Sequence, residues 1–288
     1  MHKLILHILL FLLPLQLSAF VEVKNGQFYS EGSPWRAIGV NLDSKACEKE
    51  VFQAVAKFGW NSVRVAPTSE KQLHTLVKWA KREGVKLCVV VNSDWSSEAL
   101  KSFKNKREIW AWEVATSSKA KQLKAVCPHH LITLSFDAQH TNLQAYADDV
   151  MFSQHVDFLS ITLLPVESKW VAPSNLYLGL RNAYLKSDQL VLTLTQRMRT
   201  NTKPIVVSAC SYPRDKMFRL PGSLTSLRDS YFDFVMNYSL PNQGGHFNGV
   251  FFQKWELLPT GDDESYLTSW SIYPDDTTTQ QILIKQSK

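Results

Sequence analysis

The segment WNSVRVAPTSEKQLHTLVKWAKREGVKLCVVV, Trp60 to Val91, decides the fold. Trp60–Ala66 reads as a strand. Ser69 followed by Gln72 is a capping-box pattern that opens a helix. Leu73, Leu76, Val77 and Ala80 then recur at helical spacing on one face, and Gly84 stops the helix. Val85–Val91 is apolar almost throughout, as a parallel strand buried on both faces must be. Strand, helix and buried strand form one unit of an α/β chain.

The same rhythm extends both ways. Upstream, Ala37–Leu42 reads as a strand, and Cys47–Phe58 as a helix with Val51, Val55 and Phe58 on one face. Downstream, strands are expected at Ile109–Ala115, Leu131–Phe136, Val156–Leu163, Ile205–Ser208 and Gly249–Trp255. Helices are expected at Leu100–Lys104, Lys119–Ala125, Leu143–Phe152 and Tyr177–Met198. Another, capped by Ser223, would bury Leu224, Leu227, Tyr231, Phe234 and Val235, and a last one starts near Thr277. Eight strands alternating with helices predict a (β/α)8 TIM barrel. Asn25-Gly26 and Glu31-Gly32 mark turns of a short N-terminal β-hairpin cap. A doubly wound open sheet fits less well, because Val40-Asn41-Leu42-Asp43 is no glycine-rich phosphate loop.

The chain has 288 residues, 44% of them hydrophobic, enough to bury a sizeable core. Residues 1–19 stand apart. His2 and Lys3 precede an apolar run, Leu4–Leu17, broken by Pro14, and Leu17-Ser18-Ala19 offers a cleavage point. That is the pattern of a secretory signal peptide. It predicts a secreted protein, extracellular or periplasmic, with residues 20–288 as one barrel domain and no membrane span after cleavage. The net charge of +6 is scattered, without the aromatic–basic motif of a nucleic-acid module, so no nucleic-acid partner is expected.

Four cysteines in a chain of this length do not make a disulfide scaffold. Cys88 and Cys210 lie in apolar strands and read as buried thiols, whereas Cys47 and Cys127 lie nearer element ends, where a bridge between them stays open. Cys127-Pro128-His129-His130 lacks a second ligand pair, so no metal is expected. No cofactor is expected either.

The ends of the strands carry a resemblance. "IWAWEVATSSKA", Ile109–Ala120, is similar to the fourth-strand motif of glycoside hydrolase family 5, W-E-L-x-N-E-P. "KPIVVSACSYPRD", Lys203–Asp215, resembles the seventh-strand motif of that family's endo-β-1,4-mannanase branch, K-P-V-x-x-E-F-G-x-P-R-D. "VDFLSITLLPVESKW", Val156–Trp170, is similar to its sixth strand. "LCVVVNSDW", "PTGDDE" and "SWSIYPDDTTTQQIL" follow its third strand and its close. The loop between the third and fourth strands is shorter than is usual in such mannanases. The resemblance implies retaining hydrolysis of β-linked glycans by two glutamates, acid/base and nucleophile, with carboxyls about 5–5.5 Å apart.

Aligned residue by residue, Trp112 and Glu113 match the W-E of the fourth strand. Ser117 then takes the acid/base position and Ala209 the nucleophile position. The sixth-strand histidine and its aromatic neighbour fall on Thr162 and Leu164, and the eighth-strand tryptophan on Gln253. Neither catalytic step runs on a neutral side chain. The resemblance therefore implies a barrel without its reacting groups, binding a β-glycan, β-mannan-like, or a protein partner in the degenerate cleft.

Other readings stay open. Relocated carboxylates could restore hydrolysis, with Asp94, Glu167, Asp137 and Glu256 near strand ends. Glu113 lies about 13 Å below Ser117 at ~3.3 Å per residue and reads as structural. Ser117, Ser208 or Ser211 could act as a nucleophile with His129, His130 or His140, but no G-x-S-x-G elbow is present. A protein-interaction scaffold is the third reading. The expected substrate-binding residues are Arg64, Asn92, Trp95, Trp170 and Trp255. Arg64 matches the arginine that closes the family's second strand and needs a new acidic partner, Glu113 among the candidates. Asn92 could serve a sugar or close a turn. The three tryptophans could form a stacking platform or pack. Trp35, Trp60, Trp79 and Trp110 read as packing, and Arg214–Asp215 as a local ion pair.

Overall fold

The computed structural model describes residues 20–42, 47–91, 95–136, 142–197, 203–237, 247–256 and 268–287. Residues 1–19, where a signal peptide is expected, lie outside them, as do Asn92, Asp94, Asp137 and His140.

Three short antiparallel strands come first: β1 (Glu22–Lys24), β2 (Gln27–Ser30) and β3 (Ser33–Trp35). Their turns work because Asn25, Gly26, Glu31 and Gly32 all adopt positive φ, between 51° and 78°, which suits the tight turns that join right-twisted strands. Then come eight parallel strands: β4 (Ala37–Leu42), β5 (Ser62–Val65), β6 (Lys86–Val90), β7 (Ile109–Val114), β8 (Leu131–Leu134), β9 (Leu159–Leu163), β10 (Ile205–Cys210) and β11 (Gly249–Phe252). The sheet runs β8-β7-β6-β5-β4-β11-β10-β9. Gly39 is required where β4 meets β5, since a Cβ there would lie 1.7 Å from the Ser62 carbonyl oxygen.

The ends of that sheet, β8 and β9, close on each other through a backbone hydrogen bond and side chains. The Asp157 amide donates to the Ile132 carbonyl at 2.7 Å, and the Asp157 carboxylate accepts from the Ile132 amide at 2.8 Å. The Thr133 hydroxyl donates to the Phe158 carbonyl at 2.8 Å. The Tyr146 hydroxyl sits between the Leu134 and Ser160 carbonyls, at 2.8 and 2.6 Å. The expected (β/α)8 barrel is present, with its cap.

The helices are α1 (Lys49–Lys57), α2 (Glu70–Glu83), α3 (Ser97–Lys101), α4 (Ser117–Val126), α5 (Leu143–Phe152), α6 (Leu176–Arg197), α7 (Ser226–Asn237) and α8 (Thr277–Ser287). The capping box at Ser69 forms as expected: its hydroxyl accepts from the Gln72 amide at 3.2 Å, while Gln72 Oε1 accepts from Thr68 N. Gly84 ends α2 in the left-handed region, at φ 68°. The seventh helix corrects the sequence reading. It starts at Ser226, so Leu224 lies in the loop before it and is 66% exposed. Its first-turn amide at Leu227 is capped at 3.0 Å by Asp215 rather than by Ser223.

Strand alternation splits the core in two. Outward residues such as Val63, Val65, Leu87, Val89, Ile161 and Val207 meet the helices. Inward residues at the lower end, Cys88, Trp110, Leu131, Phe158, Val206 and Phe251, form a plug. Phe28 of the cap enters it, with ring centroids 5.3 Å from Trp110 and 5.4 Å from Phe158. The lower mouth is thereby sealed, and only the upper, C-terminal end is left for a site.

Candidate active-site cleft

Above the plug the barrel interior turns polar. Arg64 on β5 reaches across to Glu113 on β7 with a two-pronged pair, Nε–Oε2 2.8 Å and Nη2–Oε1 2.6 Å. Its Nη1 donates to Asn41 Oδ1 on β4 at 3.1 Å. Asn41 Nδ2 donates on to the Ser208 carbonyl of β10 at 2.9 Å, and the Ser208 hydroxyl donates to the Ile161 carbonyl of β9 at 3.1 Å. One relay thus ties five of the eight strands. Burial alone would weaken the Arg64 cation, but the Glu113 carboxylate more than offsets this, and its pKa is raised. Glu113 is buried and bonded, as a structural group should be. Asn41 was visible in the sequence as the one polar side chain in the apolar strand AIGVNL, yet its bridging role required the closed barrel.

Ala209, at the aligned nucleophile position, is buried on β10 beside Thr162 of β9. The β9–β10 register shifts between Val207 and Ala209, a bulge that re-aims the strand end. The hydroxyl of Thr162, its register partner, is buried without a hydrogen-bond partner among the described residues, as are those of Ser211 and of Ser160, which is level with Val206 of the plug. Ser208 is spent on Ile161. Ser117, at the aligned acid/base position, is the exposed first residue of α4, just past the Thr116 cap, whose hydroxyl accepts from Lys119 N at 3.2 Å.

The described alternative carboxylates differ in state. Glu256 is buried, pairs with Lys254 Nζ and accepts from the Ser271 hydroxyl. Glu167 is half-buried after β9, and burial pushes its carboxyl above the usual range. Two of the histidines proposed for a serine mechanism are misplaced. His129 and His130 precede β8 and so sit at the lower end, where His129 stacks on Phe20 of the cap at 5.3 Å. His130 Nδ1 accepts from Trp112 Nε1 and its Nε2 faces the Lys106 carbonyl, both at 2.9 Å. Burial lowers its pKa to about 4, keeping it neutral. No group of three or more metal-binding side chains occurs among the described residues.

Two of the three tryptophans keep partial exposure. Trp95 and Trp170 are half-buried, each resting on the helix-side core. The Lys119 ammonium donates to the Trp95 carbonyl at 2.8 Å, tying the chain after β6 to α4. Trp255 does not line the cleft: it is fully buried, with ring centroids 5.4 Å from Phe58 and 5.5 Å from Trp60. The strand ends at Phe252, the Gln253–Lys254 peptide is cis, and Trp255 bridges instead to Ile272.

Two further expectations change. No disulfide joins Cys47 to Cys127; all four cysteines are thiols, and Cys127 lies against the Leu100 carbonyl at 3.5 Å. Arg214 does not pair with Asp215. It shares Asp276 with Arg228, at 2.5 and 2.8 Å, in a fully buried cluster that pins the C-terminal segment to α7 and to the loop after β10. Among the described residues no helix is long and apolar enough to cross a membrane.

A family model described as "GH family 5 beta-mannosidase-like" matches residues 94–267. The chain is similar in structure to the glycoside hydrolase family 5 mannosidase of Rhizomucor miehei. That match has TM-score 0.79 at 15% identity and covers 93% of this chain and 97% of that one. A glutamate-to-alanine variant of the Rhizomucor miehei enzyme, in complex with mannosyl-fructose, matches with TM-score 0.77 at 14% identity over 93% and 96%. The endo-1,4-β-D-mannanase of Thermotoga petrophila matches with TM-score 0.58 at 16% identity over 88% and 99%. No curated protein matches in sequence.

Proposed function

The chain belongs to glycoside hydrolase family 5, in its β-mannosidase-like group, and from that premise we propose that it binds a β-mannan-like glycan in the upper mouth of the barrel without hydrolysing it. What supports this reading is the motif alignment, which sets neutral Ser117 and Ala209 against the family's two carboxylate positions. Retaining hydrolysis needs one carboxyl to protonate the leaving oxygen and a second to attack the anomeric carbon. A hydroxyl and a methyl do neither.

What remains suits binding. Arg64 presents a fixed cation whose side chain is still 21% exposed, and the half-buried Trp95 and Trp170 offer ring faces to sugar C–H bonds. The Rhizomucor miehei variant bound to mannosyl-fructose also lacks one glutamate. Sugar held in a barrel short of such a group is the state we propose here. Secretion rests on the apolar Leu4–Leu17 run alone.

A second reading, hydrolysis by relocated carboxylates, is favoured by Glu167, a half-buried carboxyl after β9 whose pKa burial raises, the direction a general acid needs. Titration calorimetry with manno-oligosaccharides, alongside assays for reducing ends released from mannan, separates the two. Binding without release supports the first. Release that disappears in Glu167→Gln establishes the second.

A further inference from the structure

Helix α6 is 22 residues long, about 33 Å at 1.5 Å per residue. Its inner face buries Ala183, Ser187, Val191 and Leu194, and Ser187 bonds the Tyr231 hydroxyl of α7 at 2.8 Å. Its outer face carries Leu178, Leu185 and Leu192, which are 69%, 51% and 55% exposed. An outer barrel helix normally turns polar side chains to water. Leucines seven residues apart instead form one stripe, the spacing of a helix–helix seam.

The stripe is symmetric about Leu185. If two copies pack antiparallel across a two-fold axis at Leu185, Leu185 meets its own copy and Leu178 meets Leu192 of the second copy. Arg181 then falls beside Asp188 and Gln189 of the second copy. A parallel arrangement would set Arg181 and Lys186 against their own copies, like charge on like charge. Both ends add apolar surface. Tyr177, 77% exposed, stands at the start of α6. Phe152, 78% exposed, lies one turn past Asp148, which pairs with Arg197 at the end of α6. Antiparallel packing brings the Tyr177 end of one copy to the Phe152 end of the other.

We propose that the outer face of α6 is a homodimer interface in which two copies of this chain pack antiparallel across Leu185. Two helix faces of this length bury on the order of 1,000 Å² in total, at the low end of specific interfaces, so the dimer is a reversible one.

Cysteine cross-linking in a Cys47→Ser background tests the geometry. A disulfide needs its two Cα atoms within about 7 Å. Leu185→Cys therefore forms a covalent dimer on mild oxidation. Leu178→Cys alone does not, because the two copies of position 178 lie roughly 20 Å apart along the helices. A mixture of Leu178→Cys and Leu192→Cys proteins does cross-link. By sedimentation at about 100 µM, the unmodified protein is largely dimeric and Leu185→Glu is monomeric with an unchanged circular dichroism spectrum. A monomer at that concentration, a dimer that survives Leu185→Glu, or equal cross-linking from positions 178 and 185 overturns the proposal.

Discussion

Arg64 and Glu113 meet inside the barrel as a two-pronged ion pair, at 2.8 and 2.6 Å, on strands that are not neighbours in the sheet. The pair fixes the guanidinium beneath the upper mouth and leaves the side chain partly exposed. Glu113→Gln keeps the shape and removes the charge. Because Arg64 retains some water contact, the loss is expected to be about 2–3 kcal/mol, below that of a fully buried pair. Urea denaturation checks it, and an unchanged midpoint would show that the pair contributes nothing.

The buried cluster on Asp276 is a stronger case. Its carboxylate accepts from Arg214, Arg228 and the Tyr273 amide, and both guanidinium groups are fully enclosed. Asp276→Asn leaves two buried cations facing each other. We expect a loss of about 4 kcal/mol, seen as a melting point lower by roughly 10 °C for a domain of this size.

His130 sets an acid limit. Its folded pKa, lowered to about 4 by burial, lies below the ~6.5 of an unfolded histidine. The unfolded state therefore binds the proton first. The stability is full above pH ~6.5 and falls toward pH ~4, by about 3 kcal/mol in all if no other group intervenes. Chemical denaturation at pH 7.5 and pH 5 should show the drop, and His130→Gln should flatten it. An identical slope in the variant would assign the acid sensitivity elsewhere.

The tryptophans should separate binding from stability. Trp170→Ala is expected to weaken manno-oligosaccharide binding about tenfold, as loss of a stacking face does, with little effect on melting. Trp255→Ala should cost about 3–5 kcal/mol as a core cavity and leave affinity unchanged in the protein that remains folded. Calorimetry and thermal melts on both variants read this directly; reversed effects would move the sugar site.

Much of the fold was legible because it is written in short-range periodicity. The Ser69–Gln72 box, the Gly84 stop and the apolar β6 strand lie within one stretch of chain. Leu143–Phe152 and Ala37–Leu42 form at their expected bounds. The errors share a cause. Trp255 follows a strand that ends at Phe252, three residues earlier than expected, so counting along the expected strand aims its ring at the wrong side. Arg214 has an acid beside it in sequence, but a neighbour along an extended chain points away, and Asp276 supplies the partner. His129 and His130 precede their strand, which puts them at the sealed end.

The sequence by itself determined the alternation, hence parallel strands and a barrel, and it set the residue identities, Ser117 and Ala209, on which the proposed loss of hydrolysis rests. Periodicity and residue identity are local properties, complete in the chain. Only the tertiary structure decided that Arg64 pairs with Glu113, that Asn41 and Ser208 extend that pair to β9, and that Asp157, Thr133 and Tyr146 close the wall. Those contacts join residues that become neighbours only when eight strands wrap into one cylinder, and nothing in a linear spacing encodes which inward side chains then lie within hydrogen-bonding distance.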